Sequence, residues 1–188
     1  MNSAAFLPVL RQLPIEKTQQ IRRLRNRQAQ LQSIVGLALV KSGLRQLGLR
    51  KFHLKKLRFH YQKPYISQGG HFSISHSKRC ICCIVSRNQS VGIDVEKIRP
   101  VTDRLIKKYH LKNNNSDPIK VWTQKEAVLK VTADNRLNEL GQIKIMGDHA
   151  HFKTHDYRLK SFSLPDKYIM SIATTQAITK LKIKRVYF

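Results

Sequence analysis

Val91-Gly92-Ile93-Asp94-Val95-Glu96 alternates apolar residues with small or acidic ones. In an extended strand, side chains alternate faces, so Val91, Ile93 and Val95 point one way and Gly92, Asp94 and Glu96 the other. Two carboxylates therefore share a face, about 6.6 Å apart along the strand, and Gly92 leaves that face open to another backbone or a ligand. Such a pair suits a hard cation. Magnesium takes one or two protein carboxylates and completes its shell with water and substrate phosphates. The plain alternative is a buried strand carrying two solvated acids.

Working outward, Trp122 to Lys130, read WTQKEAVLK, supplies a third carboxylate, Glu126. Asp117 is a capping residue and Pro118 a helix opener, and Ile119, Val121, Trp122, Val128, Leu129 and Val131 are the apolar positions that follow. Trp122, Glu126 and Lys130 recur at i+4 and share one stripe. A surface ion pair is the structural alternative for the last two.

The 188 residues suffice for one sizeable domain or two small units sharing a core. Lys and Arg number 36 against 11 Asp and Glu, a net charge of +25, and no acid occurs between Lys17 and Ile93. A field of that sign draws phosphates, nucleic acid, anionic membranes or acidic proteins. Phe6 to Leu10 is too short and too interrupted by Pro8 for an export signal. No run is long enough for a membrane span. Cys80, Cys82 and Cys83 fit neither a disulfide framework nor a zinc site, so buried free thiols in a reducing cytoplasm are expected.

In chain order, Pro14 and the spacing of Ile21, Leu24, Leu31, Ile34, Val35 and Ala38 predict a helix or broken helix pair from Ile15 to Leu47, stopped by Gly43 and Gly48. Its other face carries Arg22, Arg23, Arg25 and Arg27, a solvated basic face or a clamp for a polyanion. Short strand or loop sequence follows to Tyr65, with Pro64 breaking any ladder. His71 to Ser77, HFSISHS, predicts a half-exposed strand. Ile81 to Val85 predicts a more buried one, with a hairpin turn leading into Val91 to Val95. Three adjacent strands would bring His76 near the carboxylates, although a strand-end His bonded to neighbouring backbone is the commoner case.

The stretch after Pro100 reads as polar through Asn113 to Ser116. Strands are predicted at Ile143 to Met146, His149 to Thr154, Tyr157 to Ser163 and Tyr168 to Thr174, with turns at Gly147-Asp148 and Pro165-Asp166. His149, His151 and His155 are expected to face solvent, without carboxylates nearby, and Lys180 to Phe188 to add a final strand. Helix then strands, twice over, is α+β architecture, divided after Arg99 into halves 1–99 and 100–188, with the acidic face at the junction.

Lys63-Pro64-Tyr65, FSISHS at 72 to 77, VGIDVEKIRP at 91 to 100 and WTQKEAVLK at 122 to 130 form an ordered set that resembles the signature of 4'-phosphopantetheinyl transferases of the larger, surfactin-synthetase-activating type. The resemblance runs from the first helix to Asp166-Lys167-Tyr168. It implies two similar α+β halves in pseudo-twofold arrangement. It also implies transfer of the phosphopantetheine arm of coenzyme A to a serine of an apo carrier protein, releasing adenosine 3',5'-bisphosphate. Magnesium held by Asp94, Glu96 and Glu126, Glu126 as acceptor of the serine proton and Lys130 on the pyrophosphate are the roles so implied. Lys63, Ser75 and His76 match coenzyme A contacts, His76 at the 3'-phosphate; aligned through Gly36, Lys17 and Ser33 fall at contact positions too.

The chain departs from that pattern in a short 101–121 segment and in VTADNRL after Lys130, where glycines are usual. An acidic carrier and a monomeric enzyme are expected. The rival reading is a basic nucleic-acid-binding protein whose helix tracks phosphates.

Overall fold

In a computed structural model of the chain, residues 7–49, 54–60, 63–66, 70–112, 116–132 and 137–186 are described. After a short turn of helix, α1 (Leu7–Leu10), the predicted broken pair is α2 (Ile15–Arg23) and α3 (Arg27–Gln46). The break is capped. The Asn26 side chain accepts the Gln28 amide, while Leu24 is extended. Gly48, at φ +79°, closes the helix as expected, but Gly43 lies inside it. A Cβ at Gly43 would stand 2.8 Å from Val85 Cγ2, so this glycine marks a close helix–strand approach instead of a stop.

Strands β1 (Leu57–His60) and β2 (Lys63–Ile66) form a two-stranded ribbon. Pro64 does not end it: it sits within β2 opposite Phe59, in a ribbon made only of edges, where a missing N–H is tolerated. Next, β3 (His71–Ser77) and β4 (Cys80–Ser86) pair antiparallel along their full length. α3 packs on this hairpin, with Leu37, Val40 and Leu44 in a core shared with Leu57 and Phe72.

The expected hairpin from β4 into β5 (Val91–Lys97) is not a ladder. β5 pairs with β9 (Tyr168–Thr174), as the edge of a five-stranded antiparallel sheet in the order β5-β9-β8-β7-β6. The others are β6 (Lys144–Met146), β7 (His149–Phe152) and β8 (His155–Leu164). The chain is thus α+β, and β5, drawn with the first half, hydrogen-bonds into the sheet of the second.

Helix α5 (Pro118–Thr132) covers one face of this sheet, its Ala127, Val128 and Val131 sharing a core with Phe152, Leu159 and Ala173. Asp117 caps it, accepting the Ile119 amide at 2.7 Å. On the opposite face, Ile93, Val95, Met170 and Ile172 meet Cys80, Cys82 and Ile84 of β4 and Ile178 and Leu181. The expected final strand is absent: from Thr175 to Val186 the chain has no ladder and contributes apolar side chains to that core. The polar reading after Pro100 missed α4 (Asp103–Tyr109), which closes at His110 in the left-handed region. Among the described residues, no helix is long and apolar enough to cross a membrane.

Candidate active site

The edge of β5 that faces away from β9 would leave amides without partners, which is costly once buried. Serines of β3 take that place. Hydroxyl oxygens of Ser73, Ser75 and Ser77 accept the amides of Ile93, Val95 and Lys97 at 3.2, 3.2 and 3.3 Å. The same Ser75 and Ser77 hydroxyls donate to Asp94 Oδ1 and Glu96 Oε2, each at 2.7 Å. A hydroxyl accepts and donates at once, so two serines hold strand and carboxylates together. Ser73 and Ser75 are consequently buried, which corrects the half-exposed reading of β3.

Helix α5 reaches the acidic face because Gly92 has no side chain there: a Cβ would stand 2.9 Å from the Val131 nitrogen and 3.0 Å from the Ala127 carbonyl carbon. Of the two neighbours expected at this glycine, another backbone or a ligand, the structure shows the backbone of the helix. The crossing brings Lys130 Nζ to 2.6 Å from Asp94 Oδ1. Asp94 is only 5% exposed, and its second oxygen, Oδ2, is buried with no hydrogen-bond partner.

Glu126, half-buried one turn before Lys130, has its pKa pushed up to about 7. Burial is the largest cause, then the Asp94 carboxylate; Lys130 pulls the other way, and Glu96 adds to the rise. Asp94, Glu96, Glu126 and Lys130 thus act on one another through a single local field. As placed, Asp94 and Glu96 are engaged by serine and lysine, and no three Asp, Glu, His or Cys among the described residues are gathered closely enough to hold a metal ion.

His76 is exposed on β3, next to these charges. Partial desolvation of the ring lowers its pKa most, followed by Lys130, while a backbone hydrogen bond, Asp94 and Glu96 oppose the fall. Lys63 opens β2 opposite His60, and its side chain lies outside the described part. Ser33 lies on the part of α3 that meets the β3–β4 hairpin, between Gln32, which donates to the Lys78 carbonyl at 2.7 Å, and Gly36, which abuts Ile74. Lys17 is on α2 and donates to Gln20 at 2.8 Å; burial lowers its pKa.

Lys125, beside Glu126, went unmarked in the sequence because lysine on a helix reads as solvated. It is 2% exposed, and its ammonium donates to the Tyr109 carbonyl at the end of α4 at 2.7 Å. Burial lowers its pKa to about 8. A pKa depressed by folding favours the neutral form, so this lysine's contribution to stability is full above its unfolded value and is lost as pH falls through about 8. Stability should therefore climb between about pH 8 and 10.5, and Lys125→Met should flatten that climb in urea unfolding read across the range. An unchanged slope in the variant would contradict the assignment.

The histidines on the far strands do have acids nearby: His151 Nδ1 is 2.7 Å from Asp156 Oδ1, and His149 pairs with Asp148. The three cysteines are free thiols and half-buried, where buried ones were expected.

Fold and charges together define a class: an α+β protein in which an acidic edge strand is crossed by a helix that brings a lysine onto it. No family model matches the chain. Curated proteins do. Over 182 residues it is 26% identical to 4'-phosphopantetheinyl transferase Sfp of Bacillus subtilis strain 168, covering 84% of this chain and 80% of that protein. It is 28% identical over 128 residues to 4'-phosphopantetheinyl transferase gsp of Aneurinibacillus migulanus, covering 61% of this chain and 54% of that one. Over 95 residues it is 33% identical to 4'-phosphopantetheinyl transferase HetI of Nostoc sp. strain PCC 7120, covering 43% and 40%. All three relatives are named 4'-phosphopantetheinyl transferases, and the similarity supports that superfamily for the chain.

Proposed function

We infer that the protein is a transferase that moves the 4'-phosphopantetheine arm of coenzyme A onto a serine of an apo carrier protein, with release of adenosine 3',5'-bisphosphate. One observation carries the site reading: Asp94, Glu96, Glu126 and Lys130 converge where α5 crosses β5 at Gly92. Appearance of adenosine 3',5'-bisphosphate only when protein, coenzyme A, divalent cation and apo carrier are all present tests it. Product formed without the carrier would argue for hydrolysis instead.

The donors suit magnesium, a hard ion that prefers carboxylate oxygen. Asp94 Oδ2 is a buried oxygen without a hydrogen-bond partner, and burial and the neighbouring carboxylates raise the Glu126 pKa to about 7, both of which a cation would relieve. To hold the ion, Asp94 and Glu96 would exchange their serine and lysine partners for it and Glu126 would draw in beside them, since as placed the three are not gathered for a metal; the bound ion would neutralise charge on a pyrophosphate. Lys130 binds the pyrophosphate oxygens; as the serine oxygen bonds to the phosphorus carrying pantetheine and the bond to the bridging oxygen breaks, the 5'-phosphate of the leaving adenosine 3',5'-bisphosphate takes up charge within reach of Lys130. Ionised Glu126 accepts the proton of the carrier serine, directly or through water. Ser75 and Ser77 keep the two strand carboxylates oriented, and His76, with Lys63, Lys17 and Ser33, grips the nucleotide end of coenzyme A. The division at residue 99, a monomeric enzyme and an acidic carrier belong to the same proposal, the last because a charge of +25 favours it.

Binding of a cation lowers the pKa of a neighbouring carboxylic acid and so expels its proton. With Glu126 near 7, magnesium binding at pH 7 should release a fraction of a proton, seen calorimetrically as heat that varies with the buffer's ionisation enthalpy. Glu126→Gln should remove the buffer dependence, and equal heats in all buffers for the unaltered protein would contradict this role.

A further inference from the structure

Cys80 and Cys82 stand two residues apart on β4, and their sulfurs are 3.7 Å from each other. In the antiparallel register Cys82 is opposite Ser75 and Cys80 opposite Ser77. Directly opposed residues project to the same side of a sheet, so the thiols lie on the face that meets β5. The two serines facing them are those that hold Asp94 and Glu96. We propose that Cys80 and Cys82 form a reversible disulfide under peroxide, which loosens the serine clamps and turns the transferase down.

Both thiols are half-buried and free. Cys80 is the thiol readied for attack: the hydrogen bond from Cys82 lowers its pKa, burial opposes, and Arg185 adds a further fall. Its thiolate attacks one peroxide oxygen, the O–O bond breaks, and the second oxygen leaves as hydroxide, which the released thiol proton converts to water. The Cys82 sulfur then attacks the sulfenic sulfur; the S–S bond forms, the S–O bond breaks, and a second water departs with the Cys82 proton. Two thiols are oxidised and one peroxide is reduced.

Positions i and i+2 of an extended strand are about 6.6 Å apart, near the upper limit that a disulfide spans without backbone movement. Because a disulfide prefers about 5.5–6 Å between Cα atoms, closure draws β4 in at Ile81. The ladder partners Ser75 and Ser77 shift with it, away from Val95 and Lys97. A strained bond of this kind is readily reduced, which makes the change reversible.

The test treats the intact protein with hydrogen peroxide and reads three quantities. Mass spectrometry should show loss of two hydrogens, mapped to a Cys80–Cys82 link. Hydrogen exchange at the Val95 and Lys97 amides should accelerate about tenfold or more. The transfer rate should fall about tenfold or more, as is typical when partners that orient ligands are lost. A thiol reductant should reverse all three. Cys83→Ser should behave as the unaltered protein does, and Cys80→Ser should resist the treatment. Absence of the link, or a link that leaves amide exchange unchanged, would overturn the proposal. Only the rate reading rests on the transferase assignment; a protein that never transfers would sink that assignment and leave the other two readings to decide the disulfide.

Discussion

Asp94→Asn is expected to lower phosphopantetheine transfer by about 10³-fold or more, on the scale of losing one preorganised charge contact at a reacting group. The carboxylate accepts Ser75 and Lys130 through Oδ1 and keeps Oδ2 buried without a partner. Asparagine keeps the shape and one acceptor, but puts an amide dipole where the site needs negative charge. Some stability should be lost as well, because removing one partner of a largely buried ion pair leaves Lys130 without its counter-charge. Steady-state kinetics beside a thermal melt separate the two effects. A variant with ordinary turnover would remove Asp94 from the proposed role.

Gly92→Ala should cost about 3 kcal/mol or more, the upper part of what overpacking costs, because the obstructing atoms belong to the α5 backbone and no rotamer change can move them. For a chain of this length that is a fall of roughly 6–12 °C in Tm. Transfer should fall as well, since moving α5 away from β5 separates Lys130 from Asp94. Calorimetry of the variant checks the first effect. A melt within a degree of the unaltered protein would show that the helix yields freely at this crossing.

The strand at Val91 and the helix at Pro118 were legible because each is locally consistent: period-two alternation in one, a cap and an i+4 stripe in the other. The contact between them was half-legible, through Gly92, whose missing side chain called for a close neighbour. β3 was misread for a physical reason. Serine looks solvent-facing in any polarity pattern, yet Ser73, Ser75 and Ser77 substitute for the strand that would otherwise pair with β5. Pairing of β5 with β9 is a tertiary choice that the apparent hairpin turn leading into Val91 concealed.

α4 was missed because seven residues with a single buried aromatic, Tyr109, carry too little periodicity to show. Lys125 was missed because a buried ammonium cannot be told from a solvated one without knowing that α4 ends against it. The roles proposed for Asp94, Glu96, Glu126 and Lys130 rest on ordered motifs, and convergence of these residues at one crossing is what the fold adds.

Intact-mass spectrometry of apo carrier proteins incubated with the protein, coenzyme A and magnesium, beside a chelator control, is the most direct measurement. A gain of one phosphopantetheine on the carrier, lost with chelator and with Asp94→Asn, is the expected result. No gain on any fatty-acid, polyketide or nonribosomal-peptide carrier, with the protein folded and coenzyme A bound, would contradict the account.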